Sequence, residues 1–417
     1  MKKFFFIILM LSLVPGLAEL VHGETAALSA LLTVAKENNA EIIAARERWK
    51  ASSSRIRQSK TWDNPKLSVE YWSIPEGTFD AGAATEKMYG ISQMIPFPGK
   101  LALKGRAANA EADVMRWEYR DTELKVASEL RTAYARYYSL NRSIETYRQT
   151  ADIMTSFSKV AESRYVVGQA TQGEVLRAQV EAEKMKTMLI SLEQEKQVVQ
   201  AEINVLVGRN AESALEEPEE VAPLPEALNW DTVRSAAMKH NAEIGRVNAS
   251  VEKGKWSKRA AQADYLPDFD VSFKRKTMDG EWAGSDIMAG ISIPLWFWKQ
   301  RAAVNELSSE LKAAEAERKN TELMVIAKAK EAFTKLEATK RLIDLYAASV
   351  IPKSEQSLKV TQAGFRAGRS SFLELLDSVR SYLEFKLEYY NYIAEYEKDR
   401  AMLQRVVGAE LTDGGKP

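Results

Sequence analysis

The chain has 417 residues, and its 58 basic and 58 acidic side chains give it a formal net charge of zero. It contains no cysteine, and its only histidines are His22 and His240. This composition excludes disulfides, thiolate metal sites, a cysteine nucleophile and lipidation on an amino-terminal cysteine. It also argues against a nucleic-acid-binding protein, which would usually carry a basic excess.

Residues 1–23 have the pattern of a secretory signal peptide. Lys2 and Lys3 precede an apolar run over 4–14, which is too short to span a bilayer, and small residues before Thr25 offer cleavage sites. A short membrane anchor is the alternative. No later stretch has as many as about eighteen consecutive apolar residues. The sequence therefore predicts an exported bacterial protein with no transmembrane helix after the signal.

Residues 24–208 have the pattern of one unit that ends in a long helical hairpin. Apolar and polar residues alternate over about 65–73 and 87–95, which predicts a pair of strands. Residues 101–207 contain no proline, and their apolar positions alternate spacings of four and three, as in a coiled coil. Gly168 predicts the bend between the two helices of the hairpin.

The same order returns in residues 227–408, so the chain is a duplication. The second unit has predicted strands at about 267–275 and 285–294, joined by a predicted loop over 277–285 that contains Asp279-Gly280, and a hairpin at about 300–407. A connector rich in proline and glutamate, 209–226, separates the units, and 409–417 form a tail. The repeated motifs are Asn39-Ala40-Glu41-Ile42 with Asn241-Ala242-Glu243-Ile244, Tyr165-Val166-Val167-Gly168 with Phe365-Arg366-Ala367-Gly368, and Val207-Gly208 with Val407-Gly408.

Each predicted strand has one apolar face and one polar or small face, and aromatic residues gather near the strand ends. A length of about ten residues fits a tilted transmembrane strand. Soluble hairpins packed on helices are the alternative, but the export signal favours strands in a membrane. Four strands cannot close a barrel, so several identical chains would have to share one. A conduit favours three or more copies, because a barrel of about eight strands is filled by its own side chains.

Several motifs occur in order along the chain: Asn64-Pro65-Lys66-Leu67 before the first strand, Ile95-Pro96-Phe97-Pro98-Gly99-Lys100-Leu101 after the second, and the hairpin tips at 165–176 and 365–377. Together they resemble the TolC family of outer-membrane efflux channels over almost the whole mature chain. The resemblance implies a mainly α fold with a small β part, in which coiled-coil hairpins are duplicated and each chain has four transmembrane strands. It also implies a homotrimer with a twelve-stranded β-barrel in the outer membrane and an α-helical barrel in the periplasm.

The sequence shows no nucleotide-binding loop, no Ser–His–acid order and no HExxH motif, so we expect a protein that is not an enzyme and needs no cofactor. The resemblance implies a different role. The protein would be the exit channel of a tripartite efflux pump, docked to a periplasmic adaptor protein and an inner-membrane pump. The hairpin tips would face the adaptor. The alternative for the tip residues is simple turn chemistry, and both interpretations can hold together. The tip residues are Val167, Gly168, Gln169, Ala170 and Thr171 in the first hairpin and Ala367, Gly368, Arg369, Ser370 and Ser371 in the second.

Two acidic residues behind the second tip, Glu374 and Asp377, lie three apart and share a helix face. The resemblance implies that they line the narrow periplasmic entrance, where three chains would bring six carboxylates together and favour cations. The alternative is a solvated helix face. Family members often carry an arginine where this chain has Ser370, so a latch built on that arginine is in doubt here.

Pro352 predicts a local bend in the second hairpin, because proline removes one backbone hydrogen bond. The first hairpin has Met154 near the equivalent position, so the two hairpins should not curve alike.

The sequence leaves two alternatives to an efflux channel open. One is the outer-membrane component of a type I protein secretion system, since the channel sequence does not identify the cargo. The other is a periplasmic adaptor or coiled-coil scaffold without a pore, although such a protein should have one hairpin rather than two. Methionines on the polar strand faces, Met88, Met94 and Met288, indicate packing more than metal binding.

Overall fold

The computed structural model describes residues 26–77, 80–220 and 228–409. The predicted signal peptide, part of the connector and nearly all of the tail lie outside the described residues. The helices of the described part are α1 (Ala26–Asn38), α2 (Ala40–Lys60), α3 (Lys100–Val166), α4 (Gln172–Leu206), α5 (Trp230–His240), α6 (Ala242–Ala263), α7 (Phe297–Leu345), α8 (Ile351–Arg366) and α9 (Phe372–Val407). The strands are β1 (Lys66–Trp72), β2 (Glu86–Ile95), β3 (Asp268–Met278) and β4 (Glu281–Ser292).

The longest helix is α3, whose 67 residues span roughly 100 Å at about 1.5 Å per residue. A helix of this length cannot fold around its own core, so it packs along α4, α6 and α9. Its predicted seam is buried, with Val126, Leu130 and Tyr137 each at most 2% exposed. The coiled-coil prediction, and with it the mainly α fold with a small β part, is therefore confirmed.

Buried side chains form separate clusters along the length of the molecule. One cluster packs α1 and α2 against α3 and α4, and a second packs α5 and α6 against α7 and α9. These two clusters repeat the duplication seen in the sequence. A third cluster lies at the far ends of the hairpins and combines α3, α4, α8 and α9, so it belongs to both halves.

The four strands form one antiparallel sheet in the order β1-β2-β3-β4. The central pairing of β2 with β3 joins the two halves, and β1 and β4 are left as open edges. Large apolar side chains on one face are exposed, including Leu67 at 82% and Ile287 at 80%. A sheet with an exposed apolar face and two open edges is incomplete in a single chain.

The second strand pair is longer and more tightly connected than the sequence suggested. We expected a loop over 277–285, but β3 and β4 are joined by Asp279 and Gly280 alone. Both residues have positive φ, 51° and 89°, which is the backbone of a two-residue hairpin turn and is favoured by an Asp-Gly dipeptide.

A buried lysine connects the sheet to the helices. Lys100 begins α3, and its Nζ donates to the carbonyl oxygen of Leu266 at 2.8 Å and to Asp268 Oδ1 at 2.9 Å. The same carboxylate accepts the backbone N–H of Phe97 at 2.9 Å. The Pro-Phe-Pro-Gly-Lys segment of the first half is thereby held to the start of β3 in the second half.

The repeated asparagines and glycines meet where the short helices cross the ends of the long ones. Asn39 caps α2 and also donates from Nδ2 to the carbonyl of Leu206, and Asn241 caps α6 and donates to the carbonyl of Val406. Gly208 and Gly408 follow these carbonyls with φ of 72° and 78°. A side chain at either glycine would collide with the backbone before the asparagine, which explains why both motifs repeat together.

Pro352 lies directly after a π-helical turn, Tyr346–Val350, which separates α7 from α8. Tyr346 Oη donates to Glu388 Oε2 at 2.5 Å across to α9, and this hydrogen bond raises the pKa of the tyrosine. The first hairpin has no such turn at Met154, where α3 is continuous. The two hairpins therefore differ where the sequence predicted a difference.

Asp399 in α9 should make stability depend on pH. Its side chain is buried against Thr339 of α7, with Glu395, Lys398 and Lys335 near it. Burial first, and the charge of Glu395 second, raise its pKa above the ordinary 3.8. A carboxyl group with a raised pKa stabilises the fold when protonated, and this contribution is lost as pH rises through the raised value.

We therefore expect Asp399→Asn to melt at a higher temperature than the wild type at pH 7. The difference should shrink as pH falls and disappear below about pH 4. Thermal melts between pH 4 and pH 8 measure it, and a constant difference across this range would contradict the assignment.

Candidate functional site

The two hairpin tips have the same backbone design. At each, a glycine with φ of 75°, Gly168 or Gly368, ends the incoming helix. The next residue's N–H reaches back to the carbonyl of Arg164 or Gly364 at 2.8 Å, the pattern of a Schellman motif. Two residues later a capping box begins the return helix, formed by Thr171 or Ser371 with the glutamate three positions on. The backbone turn of each tip is therefore held by local hydrogen bonds.

The two tips of one chain pack against each other. Phe157 of α3 contacts Phe365 of α8 edge-to-face, with ring centroids 5.7 Å apart, and Phe372 continues the stack. Arg164 lies over the Phe365 ring and donates from Nη1 to the Phe365 carbonyl at 3.2 Å. This contact was not foreseen, because the position equivalent to Arg164 in the second hairpin is Gly364 and the repeat gives no signal.

Polar contacts continue this junction beyond the tips. Arg380 of α9 pairs with Glu181 of α4, whose side chain is largely buried. Near their tips, the two hairpins are therefore joined by an aromatic cluster, a cation–π contact and a salt bridge.

Glu374 and Asp377 are both exposed on one side of α9, while Phe372, Leu375 and Leu376 on its other side are buried. Glu374 also accepts the backbone N–H of Ser371 at 3.0 Å, so its carboxylate has a structural role. Glu174 does the same for Thr171 in the first tip. The Thr-x-x-Glu and Ser-x-x-Glu spacing was a readable signal for this role.

The remaining tip residues are mainly exposed. Val166 and Val167 are 79% and 66% exposed, which is high for valine. Ser370 is partly covered because its hydroxyl lies against Gly364, and Arg369 is exposed one position earlier. Lys159, Arg164 and Arg366 give a positive charge to a shallow groove between the two tips, whose volume is about 530 Å³.

Within the described part of the chain, no three histidine or acidic side chains come together in a way that could hold a metal ion. Among the described helices, none is long and apolar enough to cross a bilayer.

The model of the outer membrane efflux protein family matches residues 31–209 and 233–409. These two segments cover both halves of the duplication and most of the chain. The chain belongs to the outer membrane efflux protein family. The resemblance that the motifs indicated is thus confirmed.

Known proteins of this kind are similar to the chain in sequence and in structure. The cobalt-zinc-cadmium resistance protein CzcC of Cupriavidus metallidurans is 19% identical over 388 residues, which cover 91% of this chain and 90% of that protein. The outer membrane protein VceC of Vibrio cholerae superposes with a TM-score of 0.78 at 19% identity, covering 92% of this chain and 96% of that one. The MtrE channel of Neisseria gonorrhoeae, in its open state, gives 0.76 at 14% identity, covering 94% and 91%.

As a member of this family the protein is an outer-membrane channel, not an enzyme, with a large helical part in the periplasm. It acts as a trimer with a periplasmic adaptor and an inner-membrane pump. The alternative of an adaptor or scaffold without a pore is therefore wrong. The incomplete sheet of one chain is completed when three chains contribute twelve strands (3 × 4) to one barrel.

Proposed function

We propose that Glu374 and Asp377 line the periplasmic entrance of the channel and make it selective for cations. The observation that carries the proposal is their position: both are exposed on one side of α9, directly behind the tip, while the opposite side packs into the tip cluster. Three chains would bring six carboxylates (3 × 2) to one opening. Rings of acidic side chains are a common means of selecting cations in pores.

The capping box supports this proposal by fixing one carboxylate in place. Glu374 cannot swing freely, because its Oε2 accepts the N–H of Ser371. At the equivalent positions the first tip has Glu174 and Arg177, whose opposite charges would cancel. The acidic pair is therefore particular to the second hairpin.

We also propose that the ten tip residues, 167–171 and 367–371, dock the adaptor. Exposed valines next to small side chains at Ala170 and Ser371 allow another helix tip to approach closely. Because the two tips of one chain are joined through Phe157 and Phe365, they would present a single docking surface.

The cargo we propose is metal cations. The curated relative CzcC is named for resistance to cobalt, zinc and cadmium, and an acidic entrance suits such ions. Protein secretion of type I is the second candidate, and selectivity for small cations would count against it. We further propose the division into 24–208, 209–226 and 227–408, which the matched segments 31–209 and 233–409 support.

The reversal potential of single channels in a salt gradient tests the entrance. The variant Glu374→Gln with Asp377→Asn should lose several-fold of its cation preference, because six negative charges leave the opening. Glutamine can still complete a capping box, so the tip should fold normally. Glu174→Gln is the matched control at the first tip and should change little. An unchanged reversal potential in the double variant would contradict the proposal.

A further inference from the structure

Four helix ends lie at the same edge of the sheet. They are the C-termini of α2 and α6 and the N-termini of α3 and α7. The segments 53–62, 100–110, 253–263 and 297–305 contain twelve lysines and arginines and no acidic residue. The chain as a whole is balanced at 58 of each. We call the lysines and arginines of these four segments the basic collar. Acidic residues adjoin the segments directly at Asp63, Glu111, Glu252, Asp264 and Glu306, so the basic excess is confined to the segments themselves.

Most of the collar is unpaired within the described residues. Lys100 is held by Asp268, Lys253 pairs with Glu111, and Lys255 pairs with Glu252. The other nine have no salt bridge in the described part of the chain, and most are exposed. One of them, Lys258, donates from Nζ to Ser308 Oγ at 3.1 Å. The nearest acidic residues on the loops are Asp63, Asp264 and Asp268.

Two members of the collar are held close together by one aromatic ring. The guanidinium groups of Arg106 and Arg259 each lie 4.6 Å from the centre of the Trp256 ring. Two like charges against one indole leave a strong positive potential around it. An anion placed there would relieve this repulsion.

The collar is next to the membrane-facing surface. Trp62, Trp296 and Trp298 are each more than half exposed between the collar and the apolar face of the sheet. Exposed tryptophans of this kind lie at the level of lipid headgroups. From Trp298 to Arg301 the helix rises only about 4.5 Å, and the headgroup layer on each side of a bilayer is about 5–8 Å thick.

We propose that the basic collar binds anionic phospholipids of the periplasmic leaflet through their phosphate groups. The proposal rests on the outer-membrane location described above. Unpaired lysines and arginines lie at the depth of the phosphates, and the tryptophans fix that depth. The collar and the aromatic residues would then hold the trimer at a defined height in the membrane.

Native mass spectrometry of the purified trimer, titrated with phosphatidylglycerol or with zwitterionic phosphatidylcholine, tests the collar. The wild type should retain phosphatidylglycerol preferentially. The variant carries Arg57→Gln, Lys104→Gln, Lys299→Gln and Arg301→Gln, four exposed residues with no salt bridge in the described chain. One basic side chain near an anionic surface contributes about a fivefold gain in affinity, so the variant should lose more than about tenfold.

The control neutralises four lysines along the tube, far from the sheet: Lys184→Gln, Lys186→Gln, Lys353→Gln and Lys359→Gln. All four are exposed, and Lys186 and Lys359 pair only within their own helices, so each loss should affect stability little. This control should keep its lipid preference. Equal retention of both lipids by the wild type, or equal losses in the two variants, would overturn the proposal.

Ion conduction tests the channel function independently of lipid binding. Both variants should still conduct ions in a planar bilayer. If neither they nor the wild type conduct, the channel function itself fails. If the collar variant conducts with altered selectivity but unchanged lipid retention, the collar faces the lumen and the lipid proposal is wrong.

Discussion

Lys100→Met should remove the stable trimer from the outer membrane. The lysine is 5% exposed, and its ammonium group joins Asp268 and the carbonyl of Leu266 at the joint between the halves. Methionine fills the space but leaves the Leu266 carbonyl without this donor and leaves Asp268 with only the N–H of Phe97. Removing one member of a buried ion pair costs about 3–5 kcal/mol. Because the Asp268 side chain is 29% exposed, we expect the lower end of this range, which is still a large part of the roughly 5–15 kcal/mol that holds a typical protein folded.

Electrophoresis of membrane fractions with and without heating measures the trimer directly. Lys159→Met is the control, since Lys159 is an exposed lysine of the same helix at the end far from Asp268. Adding Asp268→Asn to Lys100→Met should restore part of the trimer, because the amide oxygen still accepts the N–H of Phe97 without burying a charge. A Lys100→Met trimer as abundant and heat-resistant as the control would show that the joint does not depend on this pair.

Gly408→Ala should have the second largest effect. Gly408 has φ of 78°, and a Cβ there would lie 2.1 Å from the carbonyl oxygen of His240. The neighbouring backbone cannot retreat easily, because Asn241 caps α6 and also holds the carbonyl of Val406 at 2.7 Å. The strain of the left-handed backbone and the forced shift of the neighbouring chain together should lower the free energy of unfolding by about 2–4 kcal/mol.

Gly168→Ala measures the cost of a left-handed backbone without a steric collision. Gly168 has φ of 75°, and a Cβ there meets nothing within 4 Å. Its substitution should therefore cost only about 1 kcal/mol. Thermal melting of the two variants should show a clearly lower midpoint for Gly408→Ala. Equal midpoints would mean that the contact with His240 is loose in solution.

Features with a regular period could be predicted from the sequence. The seam through Val126, Leu130 and Tyr137 follows coiled-coil spacing, and the strands follow simple alternation, so both were found without any knowledge of neighbours. The repeat then predicted two hairpins. The predicted loop over 277–285 is wrong because Asp279-Gly280 forms a two-residue turn, and the polar residues around it continue the strands.

Features that join distant parts of the chain left no such signal. Lys100 and Asp268 are 168 positions apart, and Arg164 and Phe365 are 201 apart. Neither pair recurs in the duplication, so nothing in one chain points to the partner. The exposed placement of Glu374 and Asp377 follows from helix periodicity, whereas their role at the entrance stays a prediction because one chain does not show what they face.

The four strands of each chain lie in lipid on one face and in water on the other. The chain has no cysteine, so a single introduced cysteine is the only target for a thiol reagent. Asp286 and Ile287 are adjacent in β4, both are exposed in the single chain, and they point to opposite faces. With a membrane-impermeant, water-soluble reagent on intact outer membranes, Asp286→Cys should react and Ile287→Cys should not. Rapid reaction at both positions would place both faces in water and contradict the account.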